Sequence, residues 1–319
     1  MGGIIMIEKI IIILIIIVLI ISILAAAGIY FYNIAILRNK KRFPHKESDL
    51  PTDTYEQTWA VGKAWVGNKQ CENIKIRSWD GLLLKGDYLP AASYTNITVI
   101  LVHGYTGIGH AMGCFAQYYH EEHDFNVLMP DCRGHGDSEG KYIGFGWQDR
   151  KDILEWISYI LNKQGEGSQI ILHGVSMGGG AVLMTSGEKL PDNVKFIISD
   201  CAYTSARDII TYQMSRVLKL PRFPIIPITS LICKLRAGYF LGEASALLQV
   251  SKSKKPILFI HGGADKFVPV EMVNSLYKAA QCEKKLFIVE DAGHGDAYWK
   301  DMSGYTIQVK NFIDKYIVK

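Results

Sequence analysis

Residues 170–180 read Ile-Ile-Leu-His-Gly-Val-Ser-Met-Gly-Gly-Gly, and the fold turns on how this stretch is read. Ile170, Ile171 and Leu172 open an apolar run of strand character. Gly174 and Gly178 flank Ser176 in a G-x-S-x-G pattern, and Gly179 to Met184 continue as a small-residue helix. Strand, pinched turn and helix start form the setting in which this pattern presents a serine as a nucleophile. A serine hydroxyl is a poor nucleophile until it is held in front of a base. The sharp turn that holds it crowds the neighbouring backbone, and Gly174 and Gly178 have no Cβ to clash there. The new helix also aims its free N–H groups at the place where an oxyanion would develop. Taken alone, the pattern also fits an ordinary glycine-rich loop. The rest of the chain has to supply a base, an acid and a second oxyanion donor.

Outward from this stretch the elements alternate. Residues 73–78 alternate apolar and polar side chains, Trp79-Asp80-Gly81 supplies a turn, and residues 82–89 run extended, which predicts a hairpin. Residues 97–102 form a continuous apolar run rich in β-branched residues, the composition of a strand buried on both faces of a parallel sheet. It ends in His103-Gly104-Tyr105-Thr106-Gly107, with a helix expected over 112–122. A strand over 126–129 enters the turn-rich segment 130–138, and a helix bearing Ile153, Trp156, Ile157 and Ile160 leads to the serine turn. Further strands are expected over 194–199, 256–260 and 286–289, and helices over 271–280 and 306–317. Such alternation predicts an α/β domain, a mostly parallel sheet with helices on both faces. Ligands bind at the carboxyl ends of the strands in such sheets. Tyr105, Ser176, Asp265 and His294 all fall at those ends.

Composition excludes several classes. Lys plus Arg number 35 and Asp plus Glu 31, and a net charge of +4 is too small to argue for nucleic acid as a partner. Six dispersed cysteines contain no C-x-x-C, so neither a zinc site nor a redox motif is suggested. Neither a metal nor an organic cofactor is expected.

The first 43 residues read as a membrane anchor with a basic flank. No charge interrupts residues 10–32, a length that spans a bilayer core as a helix. The rival reading is a cleaved signal peptide with Ala25-Ala26-Ala27 as its cleavage site. The apolar run continues past that point through Tyr30, Phe31 and Tyr32, which resemble an interfacial aromatic belt, and favours an uncleaved single-pass helix. Arg38, Lys40, Lys41 and Arg42 on its carboxyl side place the bulk of the chain in the cytoplasm by the positive-inside rule. Residues 44–70 read as a linker containing a short helix over 54–66, in which Trp59 and Trp65 pack on the core or lie at the membrane surface. Residues 71–319 form the main domain. Its segment 203–252 breaks the alternation and carries Pro221, Pro224 and Pro227, so it reads as an insertion or lid with one apolar helix.

The order Ser176, Asp265, His294 is that of a Ser–Asp–His hydrolase triad. Here the chain resembles a known group. His-Gly-Tyr-Thr-Gly, Arg-Gly-His-Gly-Asp-Ser, Gly-Val-Ser-Met-Gly-Gly and Gly-Ala-Asp-Lys-Phe-Val-Pro are similar to the motifs of α/β-hydrolase superfamily serine hydrolases. The branch they resemble contains cinnamoyl esterases, monoglyceride lipases and serine-aminopeptidase-like enzymes. The resemblance implies the α/β-hydrolase fold over residues 71–319, with the membrane anchor as a departure from many soluble members. It implies Ser176 as nucleophile, His294 as base, Asp265 as the acid that orients it, and the backbone N–H groups of Tyr105 and Met177 as oxyanion donors. His103, His173 and His261, each before a glycine at a strand end, read as structural, as does His135. Asp291, Asp296 and Asp200 are rival acids; the Val268-Pro269 that follows Asp265 matches the family. The expected activity is hydrolysis of a small-molecule acyl ester at the membrane. Amide cleavage, thioester cleavage and an inactive membrane-tethered binding protein are the alternatives, and the oligomeric state is left open.

Overall fold

The β-branched runs spaced along the sequence assemble into one eight-stranded sheet. A computed structural model describes residues 2–38, 46, 49 and 53–318 of the chain. The strands are β1 Glu72–Arg77, β2 Leu83–Leu89, β3 Ile97–Val102, β4 Asn126–Pro130, β5 Gln169–Val175, β6 Val194–Asp200, β7 Ile257–Gly262 and β8 Lys284–Val289. Their order across the sheet is β1-β2-β4-β3-β5-β6-β7-β8. The hairpin β1–β2 is antiparallel, β2 runs antiparallel to β4, and every later pairing is parallel. From β3 the chain moves one way to β4 and then to the other side, to β5. The strand order therefore reverses beside β3, and a crevice opens there at the carboxyl ends.

Every residue of β3, β5 and β7 is buried, as expected for strands covered on both faces. Alternate side chains feed two cores. Ile100, Val102, Ile170 and Leu172 enter one; Val99, Leu101, Ile171 and Val175 enter the other. The helices are α1 Gly2–Ala35, α2 Asp53–Gly67, α3 Gly113–Gln117, α4 Asp149–Gln164, α5 Met177–Ser186, α6 Ala206–Val217, α7 Ile225–Ala237, α8 Ala246–Val250, α9 Val270–Ala279, α10 Ala297–Lys300 and α11 Met302–Tyr316. The helix expected over 112–122 is broken into a 3-10 turn, α3 and a wide turn.

Three features differ from the reading of the sequence. The short helix expected over 54–66 is α2, but it packs directly on α3 where a linker was expected. Gly62 and Gly113 let the two backbones close up: a Cβ on Gly62 would lie 2.2 Å from Cys114 Sγ, and one on Gly113 would lie 2.1 Å from the Gly62 carbonyl oxygen. Trp59 stacks edge-on against Phe115, and Trp65 Nε1 donates to Glu121 at 2.7 Å, so both tryptophans face the domain.

Second, the aromatic belt splits. Tyr30 is exposed, but Phe31, Tyr32, Ala35 and Ile36 are buried in the core that α4 and α5 line. Aromatic side chains at the end of an apolar helix suit either a bilayer interface or a protein interior, and here α7 and the 141–145 segment supply an interior. Of the basic flank, Lys40, Lys41 and Arg42 lie outside the described residues.

Third, residues 203–252 fold as three helices rather than one. The chain pinches where Ala206 N donates to the Ala244 carbonyl at 2.8 Å and Leu247 N to the Thr204 carbonyl at 3.0 Å. Only α6 and α7 stand out beyond that pinch, while α8 packs back on α5.

Candidate active site

Ser176 sits at the turn between β5 and α5 with φ +57° and ψ −115°. A non-glycine residue in that region costs on the order of 1–3 kcal/mol and persists only where its surroundings fix it. The fixing contacts are here: Ser176 N donates to the Asp200 carbonyl at 2.8 Å, and Gly180 N returns to the Ser176 carbonyl at 2.9 Å. The glycines have the reason the sequence suggested. A Cβ on Gly178 would lie 1.9 Å from the Val102 carbonyl oxygen, and one on Gly174 would lie 2.2 Å from that of Gly178.

The three side chains expected to act together are in contact. Ser176 Oγ lies 2.8 Å from His294 Nε2, and His294 Nδ1 lies 2.8 Å from Asp265 Oδ2. They come from the ends of β5 and β7 and the turn after β8, brought together because parallel strands end on one edge. Asp265 Oδ1 accepts from Phe267 N and Val268 N, both at 2.8 Å. The Phe267 ring lies 4.7 Å from the His294 ring, centroid to centroid, and fixes its plane. Asp265 and His294 are buried, while Ser176 keeps partial access to solvent.

The loop after β3 lies against the serine, since a Cβ built on Gly104 would be 3.3 Å from Ser176 Cβ. This brings Tyr105, the next residue, to the same point. Met177 N begins α5, where the first N–H groups of a helix lack intrahelical partners. Among the described residues no cluster of His, Cys, Asp and Glu could hold a metal ion.

Comparison with known proteins places this arrangement in a family. The model of the alpha/beta hydrolase fold matches residues 97–224. The Bacillus subtilis (strain 168) protein YqkD, itself uncharacterized, is 32% identical over 296 residues, covering 91% of this chain and 92% of its own. The chain belongs to the α/β-hydrolase superfamily. YfhR of Escherichia coli (strain K12), also uncharacterized, is 28% identical over 76% of this chain and 80% of its own length. The Pyrococcus furiosus esterase Pf2001 shares the fold with TM-score 0.64 and 24% identity, over 79% of this chain and 92% of that one.

In this member of the superfamily the other histidines have partners away from the serine. Cys132 N donates to His103 Nε2 at 3.0 Å, which leaves His103 Nδ1 to donate to the Gly104 carbonyl at 2.8 Å. Burial pushes its pKa down to about 3. His261 Nε2 reaches the Val268 carbonyl at 2.8 Å and so braces the acid loop. His135 Nδ1 lies 3.0 Å from the Arg133 carbonyl.

His173, also lowered to about 3 by burial, belongs to a buried chain that the sequence did not reveal. Tyr119 Oη lies 3.1 Å from His173 Nδ1, His173 Nε2 lies 3.0 Å from Tyr305 Oη, and Tyr305 Oη donates to Asp200 Oδ2 at 3.1 Å. One set of protons satisfies the whole chain: Tyr119 donates to His173, His173 to Tyr305, and Tyr305 to Asp200. Nothing in the spacing of residues 119, 173, 200 and 305 signals this contact, because each is on a different element. The rival acid Asp200 therefore turns to Tyr305, and Asp265 is the carboxylate that bonds His294.

Burial pushes the Asp200 carboxyl up to about 7 despite the Tyr305 hydroxyl. An unfolded aspartate titrates near 4. Between about pH 4 and 7 the folded protein then holds a proton that the unfolded chain has lost, so stability falls as pH rises through that window. Asp200→Asn removes this dependence and keeps an acceptor for Tyr305. The expected outcome is that thermal unfolding of the wild type drops more between pH 5 and pH 8 than that of Asp200→Asn. Parallel profiles would show that Asp200 is ionised throughout.

Proposed function

We propose that this protein is a membrane-anchored serine hydrolase that cleaves carboxylic esters through an acyl-enzyme. One observation carries the reading: the unbroken Ser176–His294–Asp265 hydrogen-bond chain at the sheet's switch point. In this reading His294 Nε2 takes the Ser176 proton as Oγ attacks the acyl carbonyl. Asp265 holds the other ring N–H and stabilises the imidazolium that forms. The N–H groups of Tyr105 and Met177 take the developing oxyanion, each contributing about 2.7–4 kcal/mol in the transition state. Collapse expels the alcohol with the proton from His294, and water repeats the sequence on the acyl-serine.

The N-terminal helix supports the anchored part of the reading. Within Met6–Ala35 an 18-residue stretch reaches a mean hydropathy of 3.6. A bilayer core takes about 20 helical residues, and α1 is exposed continuously over the stretch from Met6 to Ile23. Beyond it, the Gly28 backbone packs on Ile228 and Ile232 of α7, so the domain would stand directly on the membrane. Exposed Phe223, Leu231 and Leu235 on the α7 side suit an apolar substrate held near that surface. We read the helix as uncleaved and the domain as cytoplasmic.

Amide cleavage ranks lower on the lid's own carboxylates. Asp208 accepts from Thr204 Oγ1 at 2.8 Å, and Glu243 accepts from Phe240 N and pairs with Lys234. Both are engaged rather than free to hold a substrate amine.

The test uses the full chain in detergent, with p-nitrophenyl esters of increasing acyl length, amino-acid arylamides and a fluorophosphonate probe. Ester turnover with probe labelling is expected. Arylamide turnover instead would promote the peptidase reading, and folded protein that neither turns over esters nor labels would leave a binding protein on a hydrolase scaffold.

A further inference from the structure

The last turn of α1 is built into the catalytic machinery. A helix ends with carbonyl oxygens that have no partner within the helix. At this end the partners come from Tyr105, in the loop beside Ser176, and from the 136–143 segment. Tyr105 Oη donates to the Ala35 carbonyl at 3.0 Å and lies 3.4 Å from that of Ile34. Ile143 N donates to the Ile36 carbonyl at 2.7 Å, and Arg38 N to the Lys141 carbonyl at 2.9 Å. The Arg38 guanidinium continues the contact, donating to the carbonyls of Gly136 at 2.6 Å and Ser138 at 2.7 Å.

Tyr105 is thus held at both ends. Its backbone follows Gly104 in a turn closed by Gly107 N on the Gly104 carbonyl at 3.0 Å, and its ring packs on Phe145 at 5.5 Å between centroids. Its hydroxyl is tied to the anchor. A separate contact, made beyond α1, reaches the acid side of the site. Asp49 forms an ion pair with Arg216, whose Nε donates to the carbonyl of Lys266, the residue after Asp265, at 3.2 Å.

We infer that the carboxyl end of the membrane helix sets the oxyanion loop, with Tyr105 as a positioning residue whose hydroxyl carries that setting to its own backbone N–H. The inference rests on the hydrolase reading above. It makes α1 a working part of the site rather than a tether, and it ties the geometry around Ser176 to how α1 is seated in the bilayer. A misplaced oxyanion donor weakens binding of the transition state more than binding of the ester, so the signature lies in kcat.

The experiment uses the full chain reconstituted in lipid nanodiscs, with Tyr105→Phe, Gly28→Leu and the double variant. Tyr105→Phe removes one hydroxyl and keeps the ring on Phe145. It is expected to lower kcat about ten-fold with KM changed by less than about two-fold, the size of one lost hydrogen bond. Gly28 is remote from the serine, but a Cβ there would lie 2.5 Å from Ile228 Cγ2 and 2.7 Å from Ile232 Cδ1. Leucine should push α1 away from α7 and lower kcat in the same sense. If both act through one contact, Tyr105→Phe adds little in the Gly28→Leu background.

An unchanged kcat in Tyr105→Phe overturns the inference, as does an effect confined to KM or effects of the two substitutions that simply multiply. Wild-type protein that neither hydrolyses esters nor labels with fluorophosphonate would defeat the hydrolase reading itself. Normal wild-type turnover beside an indifferent Tyr105→Phe would defeat this inference alone.

Discussion

Ser176→Ala is expected to lower ester turnover by about 10⁶-fold and to abolish fluorophosphonate labelling, the size of loss seen when a triad serine is removed. The backbone bonds that fix the turn, Ser176 N to Asp200 and Gly180 N to Ser176, do not involve Oγ. The variant should therefore unfold at the wild-type temperature. Asp265→Asn is the sharper companion. Asp265 Oδ1 already accepts two backbone N–H groups, from Phe267 and Val268. An asparagine would keep its carbonyl oxygen there and turn its NH₂ toward His294 Nδ1. That nitrogen would have to accept, which leaves the proton on Nε2, facing Ser176. A histidine in that tautomer cannot take the serine proton, and kcat should fall by about 10⁴-fold. Turnover of either variant within about ten-fold of wild type would remove the triad from the mechanism.

Arg133→Met is expected to lower stability by about 3–5 kcal/mol, a large share of the roughly 5–15 kcal/mol that holds a domain folded. Arg133 is among the largest fully buried side chains. Its guanidinium makes two bonds of 2.6 Å to buried Asp152 and two more, of 2.9 and 3.0 Å, to Asp80. This fork joins the β1–β2 turn to α4 and fixes the loop behind His103. Removing it strands the Asp152 carboxylate away from water. The double variant Arg133→Met with Asp152→Leu should recover much of the loss, because an apolar pair has no charge to desolvate. Unfolding of the purified chain in urea measures both. Equal losses in the single and double variants would mean that packing, not charge, sets the cost.

The resemblance in the sequence carried the Arg-Gly-His-Gly-Asp-Ser motif but not this role for its arginine, because Asp80 and Asp152 are 53 and 19 residues away along the chain. The meeting of Ser176, Asp265 and His294 was easier to anticipate. Parallel strands deliver their carboxyl ends to one edge, so Ser176, Asp265 and His294, each just past an apolar run, had to emerge near one another. The glycines of the serine turn were legible for a local reason: a Cβ at 174 or 178 meets backbone within two turns of the same motif or on the adjacent strand β3.

The sequence by itself determined the alternation of strands and helices, the serine turn and a helix apolar enough to cross a membrane, because each is written in neighbouring residues. Only the tertiary structure decided that Phe31 and Tyr32 enter the core, that α2 docks through Gly62 and Gly113, and that Asp200 turns to Tyr305. It alone decided that the apolar helix α1 ends on the Tyr105 hydroxyl. Those contacts join groups far apart in the chain. An apolar run or a lone polar side chain states what must be buried or bonded, and the packed fold supplies the partner.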